Sequence, residues 1–299
     1  MDSIRKIHNI LILLILFCSQ LTFAQLESAR TKIEEIIKQT KGKVGIAVMD
    51  LENKDTLTVN DNYCYPMQSV FKFPLALYVL NQVDKGNLSL EQKIHLSKEN
   101  LHPKTWSPLR EKYKDGDVDV SLDEIIKNTV AWSDNNGCDI LFKLVGGTSK
   151  VNSFIYKLGI KDLNIVANEE AMHNDWSIQY KNCSTPMAMA KLLYKFKRDS
   201  ILSASSTDFL WNIMVSTVTG AERLKGELPE GTKVAHKTGS SGVNDGIAAA
   251  TNDIGIVTLP NGKQYAIVVF VSDSPDNEKT RDKIIANISK AVWDVYIHN

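Results

Sequence analysis

Metal ligands, membrane spans and nucleic-acid patches are what this sequence is short of. Its six histidines, His8, His95, His102, His173, His236 and His298, form no HxH or HExxH pair, and its four cysteines include no CxxC. A zinc hydrolase or a zinc-stapled fold would need such spacings. No G-x-S-x-G turn occurs either, because Gly239-Ser240-Ser241-Gly242 has the wrong spacing, so the nucleophile elbow of the α/β-hydrolases is excluded. There is no glycine-rich phosphate loop, no repeat and no low-complexity tract. Basic and acidic residues balance at 35 each, which leaves no excess charge to recruit nucleic acid or anionic lipid.

One apolar run is present. The nine residues Ile10 to Cys18 follow Arg5 and Lys6 and lead to Thr22-Phe23-Ala24, the order of a secretory signal with small residues at its cleavage site. Nine residues are too few to cross a bilayer, and the bulky Leu16-Phe17 before Cys18 argues against lipid attachment. Residues 1–24 are therefore expected to be a signal peptide, and the mature chain to be secreted to the periplasm. Three cysteines remain, Cys64, Cys138 and Cys183. An oxidising compartment permits one pair without choosing it, and most are expected to be buried small hydrophobes.

The periodicity divides the mature chain into ends and middle. Glu27 to Gln39 has helical spacing, and Lys43 to Leu51 and Asp55 to Val59 read as strands. Near the other end, Gly246 to Leu259 and Gln264 to Ser272 flank the turn Pro260-Asn261-Gly262-Lys263, and Glu278 to Ile297 forms a closing amphipathic helix. The middle is mostly helical in pattern, with loops at Glu99 to Asp119 and Ala167 to Pro186. Strands at both ends with helices between predict an α+β fold: one antiparallel sheet built from both termini with flanking helices, plus a helical insertion. The division expected is 25–65 with 216–299 as an α/β domain and 66–215 as an all-α domain, the ligand cleft lying between them.

The stretch Tyr65-Pro66-Met67-Gln68-Ser69-Val70-Phe71-Lys72 sets a hydroxyl and an amine three residues apart in an apolar run. At a helix start the two share a face, so Lys72 can reach Ser69, and free N–H groups beside the serine can stabilise an oxyanion. Alone, Ser-x-x-Lys is weak. Ser133-Asp134-Asn135 and Lys237-Thr238-Gly239 are each equally bland, a helix cap and a strand edge. All three in this order form a catalytic signature of serine β-lactamases and penicillin-binding proteins.

On these motifs, and on a glutamate in Ala167-Asn168-Glu169-Glu170-Ala171-Met172-His173, the whole mature chain resembles a class A serine β-lactamase. It is most similar to the extended-spectrum branch of the VEB and PER enzymes, with their PMQSV, KTWSP and NExxMH segments. The resemblance implies hydrolysis of penicillins and cephalosporins by a monomer with no metal or organic cofactor. It implies Ser69 as nucleophile, with Lys72 or Glu169 as acylation base, and Glu169 activating the deacylating water. Ser133 would pass a proton to the lactam nitrogen, Lys237 and Thr238 would hold the substrate carboxylate, and Asn135 its amide side chain. The N–H groups of Ser69 and Ser240 would form the oxyanion hole.

Departures from the family pattern carry further expectations. His173 stands where asparagine is usual and could still orient the water, unless it is only a surface histidine. Ala167 and Asn182 occupy the places of an Arg–Asp ion pair, which therefore cannot form. Glu170 replaces a proline, making a cis bond before it costly, about 3 kcal/mol. A differently folded loop and a wider cleft are expected. No arginine follows Lys237-Thr238-Gly239 on its strand; Arg223 is the substitute guanidinium. In the family arrangement Trp106 is on the long loop facing the cleft, where it either stacks on substrate or only packs the loop. A D,D-peptidase would not need Glu169, 36 residues after Ser133, and a β-lactam sensor would need an anchor or signalling partner.

Overall fold

In a computed structural model the described residues are 27–297, so the expected signal segment lies outside them. Five strands form the main sheet in the order Thr56–Val59, Lys43–Asp50, Gln264–Ser274, Ile247–Thr258, Val234–Ser240, with the short Val243–Asn244 also paired to Ile247–Thr258. Every pairing is antiparallel, and the register sets Lys43 opposite Ser272 and Ile254 opposite Lys237. Both termini thus share one sheet, as the pattern of strands predicts.

Alternation along the strands gives the sheet two apolar faces. Val44, Ile46 and Val48 point to one side with Val269 and Val271, under helix 27–37 and the closing helix Glu278–Tyr296. Ala47 and Met49 point to the other with Val268 and Phe270, against the helical middle. The closing helix buries Ile284, Ile288, Val292, Val295 and Tyr296, and Asn277 caps it by accepting from Thr280 N–H. Helix 27–37 ends two residues before the predicted limit, where Gln39 enters a turn.

Helix Lys72–Asp84 lies at the centre of the middle region, buried along its first half, and is surrounded by Leu122–Ala131, Asn135–Leu144, Thr148–Lys157 and Ala204–Val215. The two expected loops hold short elements: helices Pro108–Lys112 and Glu169–Asn174, and strand Val118–Ser121 paired with Lys93–Leu96. A small three-stranded sheet joins Tyr65–Pro66, Cys183–Ser184 and Leu163–Asn164. Cys64 and Cys183 form a disulfide beside it, which corrects the expectation that most of the cysteines are simple core residues; among the described residues Cys138 alone is free, and it is buried. Among the described residues no helix is long and apolar enough to cross a membrane.

Candidate active site

Ser69 sits in a 3-10 turn, Gln68–Phe71, and the α-helix begins at Lys72, three residues later than a serine at the helix start would have it. The turn is held on the sheet by Asn252, whose buried Nδ2 donates to the Pro66 and Met67 carbonyls. A single turn still brings lysine back to serine: Lys72 Nζ donates to Ser69 Oγ at 3.0 Å. Lys72 is fully buried, and four segments supply its partners. It donates to the Ser133 carbonyl at 2.9 Å and to Asn135 Oδ1 at 2.5 Å, and pairs with Glu169 Oε1 at 2.9 Å. Ser69 Oγ lies 3.4 Å from that same Glu169 oxygen.

Ser133 occupies the joint between helices Leu122–Ala131 and Asn135–Leu144, with φ of +58°. Buried Asp134 fixes the joint by accepting from Ser107 Oγ, Leu109 N–H and Gly137 N–H, at 2.9, 2.6 and 2.8 Å. Ser133 Oγ is reached by Lys237 Nζ at 2.9 Å and by Lys72 Nζ at 3.5 Å. Lys237 is inside strand Val234–Ser240. Burial, and then the nearby charge of Lys72, hold its ammonium well below the ordinary lysine range. Gly239 lets this strand close on the Ser69 turn: a Cβ there would lie 2.3 Å from the Met67 carbonyl oxygen.

An open cleft of about 390 Å³ is lined by Ser69, Ser133, Asn135, Thr238, Ser240, Arg223 and Trp106. Half-buried Ser69 and Ser133 on its floor, hydrogen-bonded to buried Lys72 and Lys237, can hand on protons, and its rim offers donors for an anion. Among the described residues no three His, Cys, Asp or Glu side chains are grouped to hold a metal ion.

The comparisons with known proteins give this geometry its family. Residues 28–296 match the β-lactamase enzyme family. β-Lactamase VEB-1 of Pseudomonas aeruginosa is 49% identical over 92% of this chain and 92% of its own length, and extended-spectrum β-lactamase PER-1 of the same organism is 41% identical over 94% and 92%. The crystal structure of TLA-1 extended-spectrum β-lactamase superposes with a TM-score of 0.89 at 56% identity, over 91% of this chain and 99% of that one. The chain belongs to the class A β-lactamases. It is a β-lactam hydrolase of the VEB-1 and PER-1 branch, and its α+β fold is that of the family.

In this β-lactamase the Glu169 loop is closed without an ion pair. Asn182 Oδ1 accepts from Val166 and Ala167 N–H at 2.8 and 2.9 Å, and its Nδ2 donates back to the Ala167 carbonyl at 2.8 Å. No cis peptide bond occurs among the described residues. Asp139, which sequence reasoning missed, caps helix Glu169–Asn174 by accepting from Glu169 and Glu170 N–H at 2.8 and 2.9 Å. Its carboxyl is pushed up to about 7, chiefly by burial, with the Glu169 charge adding to it. An aspartate on the far side of a helix gives no spacing signal. Gln68 donates through Nε2 to Gln179 Oε1, and Tyr180 OH donates to Asp273 Oδ1 at 2.8 Å, so the loop's far end is also pinned. Glu170 is exposed.

Arg223 is buried, 4% exposed, rather than a solvated loop charge. Its Nε donates to Asp282 at 2.7 Å, Nη1 to the Gly239 and Asn252 carbonyls at 3.2 and 3.0 Å, and Nη2 to Ser240 Oγ at 2.8 Å. Thr238 shares a 2.6 Å hydroxyl contact with Thr219, another residue not singled out from sequence. Trp106 is 61% exposed, with its indole N–H donating to the Trp132 carbonyl at 2.8 Å, so the ring stands as a wall of the cleft. His173 is apart from that cleft. It faces His102 at 5.9 Å between ring centres and lines a recess of about 20 Å³ with Glu169, Asn135 and Asp139.

Proposed function

We propose that Ser69 attacks the β-lactam carbonyl to form an acyl-enzyme that Glu169 then clears with an activated water. The observation that carries this reading is the convergence of Ser69, Ser133, Asn135 and Glu169 on one buried amine, Lys72. In acylation the Ser69 proton passes to Glu169 at 3.4 Å, or to Lys72 at 3.0 Å once that side chain is an unprotonated amine, and both bases remain open. Ser133, touching both lysines, delivers a proton to the lactam nitrogen as the C–N bond breaks. Backbone N–H groups of Ser69 and Ser240 receive the oxyanion, each worth about 3–4 kcal/mol. Lys237, Thr238 and Arg223 attract the substrate carboxylate, Asn135 the side-chain amide, and Trp106 offers a stacking face.

In deacylation Glu169 takes a proton from water as the hydroxyl attacks the ester, and Ser69 leaves with its proton restored. The recess beside Glu169 and His173 has room for about one water, which supports a water-orienting role for His173. The loop closed by Asn182 and Asp139, in place of an ion pair, supports oxyimino-cephalosporins as substrates alongside penicillins. We take 25–65 with 216–299 as the α/β domain and 66–215 as the all-α one. The enzyme acts in the periplasm as a monomer, freed of residues 1–24, without metal or cofactor.

The test is the intact mass of the protein mixed with a modest excess of benzylpenicillin, sampled at seconds and minutes. Wild type returns to its free mass while the drug gains one water, and Glu169→Gln retains the adduct. A wild-type adduct that persists with little product would favour a penicillin-binding or sensing protein. Neither adduct nor product would overturn Ser69 as nucleophile.

A further inference from the structure

The disulfide lies at the junction of every segment that carries the hydrolytic pair. Ser69 follows strand Tyr65–Pro66 by three residues; Glu169 lies between strands Leu163–Asn164 and Cys183–Ser184. All three strands meet in the small sheet, with Cys183–Ser184 in the middle. Tyr65 faces Ser184, Pro66 faces Cys183, and Asn164 faces Cys183 from the other side. The incoming and outgoing ends of the Glu169 loop and the approach to Ser69 are thus set by one short piece of sheet.

That sheet is weak by itself. Each strand has two residues, and Pro66 has no N–H to give to the ladder. Met67 N–H donates to the Asn182 carbonyl at 2.8 Å, one further bond across the junction. The Cys64–Cys183 bond adds a covalent tie there, between residues 119 apart in sequence, and among the described residues it is the one disulfide. Its partner Cys183 adjoins Asn182, whose side chain closes the loop onto Val166 and Ala167.

We propose that the Cys64–Cys183 disulfide is a positioning element of the hydrolytic step, which fixes the Glu169 loop against the Ser69 turn so that breaking it slows deacylation more than acylation. With Lys72 as the acylation base, the route on which this proposal depends, acylation draws on Ser69, Lys72 and Ser133, none of which lies in the Glu169 loop, and Lys72 stands 3.0 Å from the serine through a single helical turn. Deacylation needs Glu169 placed to within a fraction of an ångström across two segments. A misplacement of about 1 Å can cost up to about a hundredfold, and roughly tenfold is expected here. The inference rests on the acyl-enzyme reading above.

The experiment compares three proteins: the oxidised wild type, the same protein after folding, reduction by dithiothreitol and desalting, and the Cys64→Ser/Cys183→Ser double variant. Reduction adds two electrons and two protons to the S–S bond and yields two thiols, the dithiothreitol being oxidised to its cyclic disulfide. Cys64 is half-buried and reachable, whereas Cys138 is already a buried thiol and does not change. Benzylpenicillin is mixed rapidly with each protein and quenched in acid from milliseconds to minutes, and intact mass gives the acylated fraction beside the rate of hydrolysis. Acylation is expected to agree within twofold, deacylation to slow roughly tenfold with the adduct accumulating, and reoxidation to restore the first rate. A lower thermal midpoint with both rates unchanged, or equal slowing of both steps, overturns the proposal. Where the double variant does not fold, the reduced wild type decides alone. If the oxidised protein forms no adduct, the Ser69 reading fails and this proposal with it; full turnover in all three proteins sinks this proposal only.

Discussion

Asp139 shows how one side chain couples stability to catalysis. Between the ordinary carboxyl value of 3.8 and about 7 the folded chain keeps a proton that the unfolded chain has lost. Its contribution to stability is therefore full below the ordinary value and is lost as the pH rises through about 7. Asp139→Asn has no such proton, so it should gain on wild type by at most ~1.4 kcal/mol per pH unit across that window. Urea midpoints at pH 4, 6 and 8 check this; a difference that is constant with pH would refute it. His173 makes the second residue-scale prediction. His173→Ala should lower kcat roughly tenfold with acyl-enzyme accumulating, and an unchanged deacylation rate would leave it a surface histidine beside His102.

Among the elements, the Glu169 loop is the least conventional, and its neutral closure can be tested. Asn182→Ala leaves the Val166 and Ala167 N–H groups and the Ala167 carbonyl without that partner. A loss of about 2–3 kcal/mol is expected, seen as a lower thermal midpoint and faster hydrogen exchange confined to 166–182. Exchange spread evenly over the chain would argue against a local clasp. The sequence revealed this region only in part. Serine and lysine three apart and Ser133 were legible because three motifs stand in one order, and the glutamate in its loop only through the resemblance to the class A family. Two-residue strands such as Cys183–Ser184 have no periodicity to read, so the small sheet and the cysteine pairing were hidden. Asp139, Thr219 and Asp282 were hidden as well, because each acts on a partner far away in sequence through a contact that only tertiary packing creates. The main sheet was legible because its strands are long, alternate cleanly and flank the turn at Asn261-Gly262.

At the scale of the molecule the site is a seam between the sheet edge and the helical middle, and Gly239 sets its width. Gly239→Ala would drive a methyl into the Met67 carbonyl, now 2.3 Å from that Cβ position, and push Lys237 away from Ser133. The expected result is a fall in kcat/KM of about a hundredfold with secondary structure retained by circular dichroism; activity within a few-fold of wild type would show that the seam can widen freely. The pairing of Lys43–Asp50 with Gln264–Ser274 has a consequence in time as well as in space. A ribosome makes the first strand early and its partner near the end, so through most of synthesis the N-terminal strand has no neighbour on that side. Ser69 and Lys72 exist long before Lys237 can reach them, and the site is assembled only when the last strand arrives. A chain carried unfolded across a membrane would therefore be harmless to anything it met on the way.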